Sequence, residues 1–265
     1  MSDSRILGEG SIIMNIQSVT GGYVVEMDHS LHKVVLVARN IYDAYFYLNN
    51  AAWEFGKSFR YSRNKPEYDE DLGVVSLEGS TKAIMVDLTI THPSEEPRKH
   101  EKDPNSYEYA LKYGTLYLLS AEKENETYTY GSRLRDEVDQ IDEAIEILRN
   151  KPNSRQVCLT VARPTDLSLP DPPCLRLVDL KIYEEALTLT AFFRSWDIFG
   201  AANTNLMGLN DVQKWVAKEL GVKEGVLQVI SSNAHIYPYA YKIVGEWVTA
   251  EDNKPSTAAE RLGLQ

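Results

Sequence analysis

The spacing of apolar positions is most regular in the second half of the chain, where it predicts two helices. Apolar residues recur there at intervals of three and four, which is typical of a helix with one buried face. The first predicted helix covers Asp136–Asn150, with Val138 in its apolar stripe, and Pro152 follows its end. The second is expected to end before Gly221, a residue suited to closing a helix. Its apolar positions are Leu206, Leu209, Val212, Val216 and Leu220.

Short apolar runs bounded by turn residues predict strands. Val34–Ala38 is a continuous apolar run without alternation, which favours a buried strand. Two further runs, Cys174–Tyr183 and Leu187–Phe193, flank Glu184-Glu185 and predict a hairpin. Other strands are predicted at Ala83–Thr91, Gln156–Ala162 and Gly225–Ser231.

The first half also contains a predicted helix and a long predicted loop. Asn40 is a suitable N-cap for a helix that we expect to run to about Phe59. Three prolines and many charges predict a loop over Thr91–Asn105, and Ser106–Leu119 is expected to be helical. Strands and helices are intermixed, and no repeat or low-complexity linker divides them. We therefore predict one α+β domain over residues 1–265.

Composition narrows the class of protein. The 265 residues are 43% apolar and 25% charged, which is ordinary for a soluble protein with a sizeable core. No apolar run approaches the length of about 18 residues that a transmembrane helix needs, and Met1–Gly10 resembles neither a secretory signal nor a transit peptide. Two cysteines do not build a secreted disulfide framework, so we expect a cytoplasmic protein. The formal net charge of −11 disfavours non-specific binding to nucleic acid or to anionic membranes.

Cys174 is the main candidate for a nucleophile. The two prolines before it fix the backbone and remove two N–H donors, which suits a rigidly presented side chain. A small buried apolar side chain is the alternative, and for Cys158, inside an apolar segment, it is the expected one. The five histidines are scattered and the cysteines lack the spacing of a zinc site, so no metal centre is expected.

Several polar side chains could bind a small anionic ligand. Arg194 and Ser195 end a predicted strand and could hold a phosphate, although a surface ion pair of Arg194 with Asp197 is the simpler alternative. Arg155 could supply a second guanidinium. Within His235–Tyr237, the histidine and the tyrosine share one face of an extended segment, either as ligands or as satisfied core side chains.

The ordered set of these motifs resembles the thymidylate synthase superfamily. The steps of 20 residues from Cys174 to Arg194, 11 to Asn205 and 30 to His235 match the spacing in that family. The resemblance covers residues 128–239, which we predict to be the catalytic core, with residues 1–127 as a divergent N-terminal part. The motifs are Tyr128-Thr129-Tyr130-Gly131-Ser132-Arg133, Gln140-Ile141-Asp142, Pro152-Asn153-Ser154-Arg155, Pro172-Pro173-Cys174, Arg194-Ser195-Trp196-Asp197, Asn205 and His235-Ile236-Tyr237.

Two shorter segments are similar to the archaeal-type thymidylate synthases and the related pyrimidine nucleotide hydroxymethylases. They are Glu95-Glu96-Pro97-Arg98 and Pro173-Cys174-Leu175-Arg176. The chain also departs from the usual family pattern. Its first 90 or so residues lack the arginine-bearing phosphate loop and the helix that carries the catalytic glutamate, and its last residues, Leu262–Gln265, lack the usual closing segment.

The resemblance implies a role for each substrate-binding residue. Arg194 and Ser195 would bind the 5′-phosphate of a pyrimidine nucleotide, and Arg155 would reach the same phosphate from the partner subunit of a homodimer. His235 and Tyr237 would bind the sugar hydroxyl. Asn205 would contact the base, where an amide suits uracil.

The resemblance also implies the catalytic residues. Cys174 would add to carbon 6 of the base, which makes carbon 5 nucleophilic. Asp197 would lie at the base and the folate, and Tyr130 would help to remove the proton of carbon 5. Glu96 is our candidate for the carboxylate that organises water and proton transfer.

The fold implied is a mixed β-sheet packed with helices, with dimerisation through the sheet. The implied reaction transfers a one-carbon unit from 5,10-methylenetetrahydrofolate, or from a methanopterin analogue, and we expect dUMP to become dTMP. One alternative is a hydroxymethylase for dUMP, dCMP or CMP, in which water replaces hydride in the last step. Another is a non-catalytic nucleotide-binding protein.

Overall fold

The computed structural model describes residues 15–61, 79–123 and 126–250 as one α+β domain. The segments Met1–Gly10 and Leu262–Gln265, on which two of the expectations above depend, lie outside these residues. The helices are α1 (Ile41–Phe55), α2 (Tyr107–Tyr113), α3 (Tyr130–Arg135), α4 (Gln140–Asn150), α5 (Ile198–Leu220) and α6 (Tyr241–Thr249). A π-helical segment (Gly114–Leu119) continues α2, and 3₁₀ turns occupy Pro164–Ser168 and Pro238–Ala240.

Ten strands form one mixed sheet in the described residues. The strands are β1 (Ile16–Val19), β2 (Gly22–Val25), β3 (Lys33–Ala38), β4 (Lys57–Tyr61), β5 (Gly79–Ile90), β6 (Cys158–Thr160), β7 (Leu175–Tyr183), β8 (Ala186–Phe193), β9 (Trp196–Asp197) and β10 (Lys223–Ile236). Their order is β1-β2-β3-β5-β10-β8-β7-β6, while β4 pairs with β5 and β9 pairs with β10. The pairs β3–β5, β8–β10 and β9–β10 are parallel, and the others are antiparallel.

One face of the sheet carries the core and the other is partly open. Alternate residues of β8 are buried and half-buried, which is the pattern of a strand covered on one face only. Helix α1 packs on β3 and β5, and α5 packs on β8 and β10. No helix in the described part of the chain has both the length and the apolar character needed to cross a membrane.

Two predicted features are confirmed with their turn chemistry. The hairpin of β7 and β8 turns at Glu184 and Glu185, which both have positive φ, as a two-residue turn that matches strand twist requires. Helix α5 ends at Gly221, whose φ of +68° is the left-handed conformation of a helix C-cap. This helix also begins eight residues before the predicted apolar stripe.

Two predicted helix boundaries are wrong. Helix α1 ends at Phe55 rather than near Phe59, because Gly56 turns into an extended conformation and β4 follows at once. Helix α4 begins at Gln140 rather than Asp136, so Val138 lies before it and is 56% exposed.

Two predictions of burial are also wrong. Cys158 is exposed, because β6 is the edge strand of the sheet and buries only its middle residue, Leu159. In β3, Val37 is 55% exposed, since it points to the open face of the sheet. An unbroken apolar run therefore occurs here in a strand with only one covered face.

Candidate active site

A cavity of about 280 Å³ lies between the start of β7, the N-terminus of α5 and the α2–π-helix segment. We call it the Cys174 cavity. Five of the predicted site residues line it: Tyr130, Cys174, Ser195, Asp197 and Asn205. Much of the remaining wall is aromatic and consists of Tyr109, Tyr113, Tyr117 and Trp196.

Cys174 is half-buried at the point where the chain enters β7. Its carbonyl accepts a hydrogen bond of 2.9 Å from the amide of Arg194. The guanidinium of Arg194 donates to the carbonyls of Pro172 and Pro173, at 3.0 Å for the Pro173 contact. Burial raises the pKa of the Cys174 thiol, whereas the charge of Arg194 acts to lower it. The chain thus holds the guanidinium of Arg194, which does not itself line the cavity, in a fixed relation to the backbone of Cys174.

Tyr130 is brought to the same wall by the start of α3. Thr129 and Ser132 form a capping box that fixes the first turn of this helix. The hydroxyl oxygen of Tyr130 accepts a bond of 3.4 Å from the amide of Leu175, directly after the cysteine. Burial raises the pKa of Tyr130, so its hydroxyl keeps its proton at neutral pH.

Asp197 is the N-cap of α5. Its Oδ1 accepts a bond of 2.9 Å from the amide of Gly200, and Tyr239 donates to Oδ2 at 3.4 Å. A Cβ on Gly200 would lie 2.3 Å from that Oδ2, so the close approach requires glycine. Burial raises the pKa of Asp197 to about 6, which allows the carboxyl to exchange a proton near neutral pH.

The amide of Asn205 has a fixed orientation. Its Oδ1 accepts a bond of 3.0 Å from Trp196 Nε1, and its Nδ2 donates to the hydroxyl of Tyr113 at 2.9 Å. One N–H and one lone pair of the amide remain for a ligand in the cavity.

His235 and Tyr237 lie beside this cavity without lining it. In the register of β9 and β10, His235 is the partner of Asp197. Its Nδ1 is 3.1 Å from Asn233 Oδ1, and its buried Nε2 has no hydrogen-bond partner among the described residues. The ring of Tyr237 stands edge-on to it at 4.6 Å. Tyr237 also stacks with Tyr239, which links the pair to the carboxyl of Asp197.

The structure does not bring Arg155 or Glu96 to the Cys174 cavity. Arg155 is exposed and lines a surface depression formed by its own loop, residues 151–156. Glu96 is also exposed, and its carboxylate accepts bonds from the backbone and the guanidinium of Arg98. The geometry within the chain does not support Glu96 as the carboxylate that serves Cys174.

Glu96 instead lines a second, more open cavity of about 560 Å³, which we call the His100 cavity. Its lining is Tyr42, Glu96, Pro97, Lys99, His100, Glu101 and Tyr107. Within it, His100 is buried against the ring of Tyr42, with centroids 4.2 Å apart. The amide of Lys102 donates to His100 Nδ1 at 3.0 Å, and burial lowers the pKa of His100 to about 4.

Sequence reasoning missed two groups of residues around the Cys174 cavity. The first comprises the tyrosines at 109, 113 and 117, whose four-residue spacing within a predicted helix could have indicated a shared face. The second is a buried ion cluster in which Asp166 pairs with Arg133 at 2.8 Å and with Arg176 at 3.3 Å. No spacing rule points to that cluster, because its members lie on three separate elements.

The described residues contain no group of three or more histidine, cysteine or acidic side chains placed to hold a metal ion. The Cys174 cavity does have features that fit a bound heteroaromatic ring. Its tyrosines offer stacking surfaces, and the carboxyl of Asp197 can accept hydrogen bonds from ring N–H groups.

Comparison with known proteins gives a consistent result. The family model for "Thymidylate synthase" matches residues 104–260. A protein of Methanosarcina mazei named "Putative thymidylate synthase" is 33% identical over 215 residues, which are 79% of this chain and 92% of that protein. Proteins of the same name from Methanosarcina acetivorans and Methanothermobacter thermautotrophicus are 32% and 42% identical, over 79% and 47% of this chain and 92% and 58% of their own lengths.

Proposed function

Because the chain belongs to the thymidylate synthase family, we propose that it transfers a one-carbon unit to carbon 5 of a pyrimidine nucleotide and converts dUMP to dTMP. One observation carries this proposal. The thiol of Cys174, the carboxyl of Asp197 and the amide of Asn205 face a single cavity. A nucleophile, a proton-exchanging group and a base-reading group are what the reaction requires.

The available hydrogen-bonding groups of Asn205 fit uracil as the base of the substrate. The amide of Asn205 has one N–H and one lone pair left, which match the O4 acceptor and the N3–H donor of uracil. Arg194 and Ser195 would bind the 5′-phosphate. His235 Nε2, which has no partner in the described part of the chain, would bind the sugar hydroxyl together with Tyr237.

In the proposed reaction, the thiolate of Cys174 forms a bond to carbon 6. The electrons of the ring double bond move toward carbon 5 and O4, where the N–H of Asn205 stabilises the developing charge. Carbon 5 would then bond to the methylene group and give up its proton to water held by the Tyr130 hydroxyl, while Asp197 exchanges protons at the base. The bond between the methylene group and its carrier would break, and hydride from the carrier would be added to the methylene group. Expulsion of the Cys174 thiolate restores the double bond.

The one-carbon donor would be 5,10-methylenetetrahydrofolate or a methanopterin analogue. It would supply the methylene group and then the hydride that reduces it to methyl. The tyrosine-lined wall and the carboxyl of Asp197 are the features of this chain that would hold its ring.

The test is the mass of the nucleotide product. The protein is incubated with dUMP, dCMP or CMP, each separately with methylenetetrahydrofolate and with its methanopterin analogue. We expect a methyl group on dUMP together with dihydrofolate. A hydroxymethyl product with tetrahydrofolate would instead identify a hydroxymethylase. No product with either carrier type would overturn the enzymatic assignment.

We further propose that the protein is a homodimer in which Arg155 completes the phosphate site of the partner subunit. Arg155 is exposed and does not line the Cys174 cavity of its own chain. The open face of the sheet carries the half-buried apolar side chains Phe192 and Ile230, paired in register, together with exposed Val37. A second copy on this face would remove those side chains from water.

Complementation tests the shared site. Arg155→Ala and Arg194→Ala proteins should each have little activity alone. After mixing under conditions that exchange subunits, one intact site per mixed dimer should restore up to about a quarter of the total wild-type activity, given random pairing. A mixture that stays inactive while mass measurement shows mixed dimers would contradict the shared site.

A further inference from the structure

Strand β7 contains a bulge at Arg176, two residues after the cysteine of the cavity. Leu175 pairs with Phe193, whereas Leu177 pairs with the next residue of β8, Phe192. Arg176 is therefore the extra residue on its strand. Such bulges bend a strand and redirect a side chain, and they occur preferentially beside active sites.

The backbone carbonyl and the guanidinium of Arg176 both form hydrogen bonds. Its carbonyl accepts hydrogen bonds from the amides of Val161 and Ala162, at 3.0 and 3.1 Å. Its guanidinium donates from Nη1 to Asp166 Oδ2 at 3.3 Å and to the carbonyl of Pro173 at 3.2 Å. The side chain is largely buried, with 19% of its surface exposed.

Asp166 is itself fixed by contacts that do not involve Arg176. Its side chain is 1% exposed, and it accepts bonds of 2.8 Å from the guanidinium of Arg133 and from the amide of Arg163. A carboxylate held in this way is a rigid anchor for a second guanidinium. It would also remain paired if Arg176 were replaced.

The carbonyl of Pro173 accepts hydrogen bonds from two guanidiniums, one on each strand side of the β7–β8 hairpin. Arg194 Nε donates to it at 3.0 Å, and Arg176 Nη1 donates at 3.2 Å. Since Pro173 directly precedes Cys174, this clamp fixes the peptide that carries the thiol. The ionisable groups that act on the thiol are two arginines, Arg176 and Arg194, two aspartates, Asp171 and Asp197, and neighbouring tyrosines at 117, 128 and 130.

The role proposed for Arg194 in phosphate binding makes the second cation important. A nucleotide phosphate that pairs with Arg194 would offset its charge, whereas the guanidinium of Arg176 is paired with the buried carboxylate of Asp166. Arg176 would then be the cation whose position near the thiol does not depend on the ligand.

We propose that Arg176 is a positioning residue: anchored on Asp166, its guanidinium clamps the peptide before Cys174 and keeps a positive charge beside the thiolate. This role deepens the proposed function, but it concerns the reactivity of one thiol and can be measured without nucleotide or folate.

The experiment measures the rate of alkylation of Cys174 by iodoacetamide between pH 6 and 10. A Cys158→Ser background removes the other thiol, which is exposed. Arg176→Gln should move the midpoint of the pH–rate profile up by about one unit, which makes alkylation at pH 7 about tenfold slower. Arg176→Lys keeps the charge and should recover at least half of the shift.

Arg163→Gln is the matched control, because Arg163 pairs with Asp136 at the surface and its loss changes net charge equally. It should leave the midpoint unchanged. Circular dichroism and Tm verify that each variant is folded, which is expected since Asp166 keeps Arg133 as a partner.

An Arg176→Gln midpoint equal to that of the parent, or an equal shift in Arg163→Gln, would overturn the proposal. So would an Arg176→Lys profile that coincides with that of Arg176→Gln. A shifted midpoint in a protein that forms no nucleotide product would leave this role intact and reject the proposed reaction alone.

Discussion

The Cys174 cavity and the His100 cavity differ in how their polar groups are satisfied. In the His100 cavity several polar groups bind one another: Tyr42 donates to Glu101 at 2.7 Å, and Lys99 Nζ donates to the carbonyl of His100 at 3.2 Å. At the Cys174 cavity, a hydrogen bond to the carbonyl of Cys174 fixes the backbone that carries the thiol. The amide of Asn205 keeps one N–H and one lone pair for a ligand. Polar groups that satisfy one another stabilise a fold, whereas oriented groups with remaining capacity can act on a ligand.

The largest expected effect is that of Cys174→Ala. Removal of the nucleophile should lower turnover by at least about a thousandfold. Nucleotide binding, measured by calorimetry, should persist, since the residues proposed to bind the nucleotide, Arg194, Asn205 and His235, are unchanged. Cys158→Ala is the matched control and should keep normal turnover, because Cys158 is an exposed residue of the edge strand. Normal turnover in Cys174→Ala would remove the cavity from the mechanism.

Asp197→Asn should lower kcat by about a hundredfold, because the amide cannot exchange the proton. Asparagine is an equally good N-cap, so α5 should be preserved. The substitution should not lower the stability of the fold in the way that it lowers kcat. The folded-state pKa of about 6 lies above the ordinary 3.8, so the carboxyl favours the folded state most at low pH and loses that contribution as pH rises through 6.

The Asp197→Asn variant should therefore be at least as stable as the parent at pH 7, measured as Tm, despite its low activity. A plot of the parent's kcat against pH should also have an inflection near pH 6, and this inflection should be absent from the same plot for the variant. A variant with normal kcat would show that the raised pKa is a consequence of burial without a role in turnover.

Glu96→Gln tests the other cavity and should change kcat less than about threefold, since an exposed ion pair contributes little. Glutamine keeps the shape and can still accept from Arg98. A loss of a hundredfold would restore Glu96 as the catalytic carboxylate and remove the distinction drawn between the cavities.

The smallest expected effect concerns acid stability. The folded-state pKa of His100 is about 4 and its ordinary value is 6.5, so the unfolded chain binds the proton first as pH falls. Stability should therefore decrease between pH 6.5 and 4. His100→Gln should show a smaller difference in Tm between pH 7 and 5 than the parent. An equal difference in both proteins would assign the acid sensitivity to other groups.

The elements that sequence predicted well are those with strong local signals. The hairpin at Glu184-Glu185 and the helix closed by Gly221 combine periodicity with turn chemistry. Burial is harder to predict from sequence, because an apolar run does not show whether a strand is central or at an edge. The predicted burial of Val37 and Cys158 is wrong for that reason, since sheet order depends on pairings between distant segments.

The residues of the candidate site also include some that the sequence could indicate and some that it could not. Cys174, Asp197 and Asn205 lie in one short stretch of sequence, at the start of β7 and at the start of α5, with the β7–β8 hairpin between them, so an ordered motif could indicate them together. The anchor for Arg176 could not be found in this way, because Asp166 and Arg133 reach it only through the folded packing of a turn and a helix. Such contacts become visible only when the chain is folded.

The position of β10 has a consequence for how this chain is made. It is the last described strand in sequence, yet it lies between β5 and β8 in the middle of the sheet. During synthesis, residues 79–90 must therefore wait for residues 223–236 before their edge is paired. At about 5–20 residues per second, this leaves an open strand edge for many seconds on the ribosome. A nascent chain of this protein should accordingly be a substrate for chaperones that shield unpaired strands.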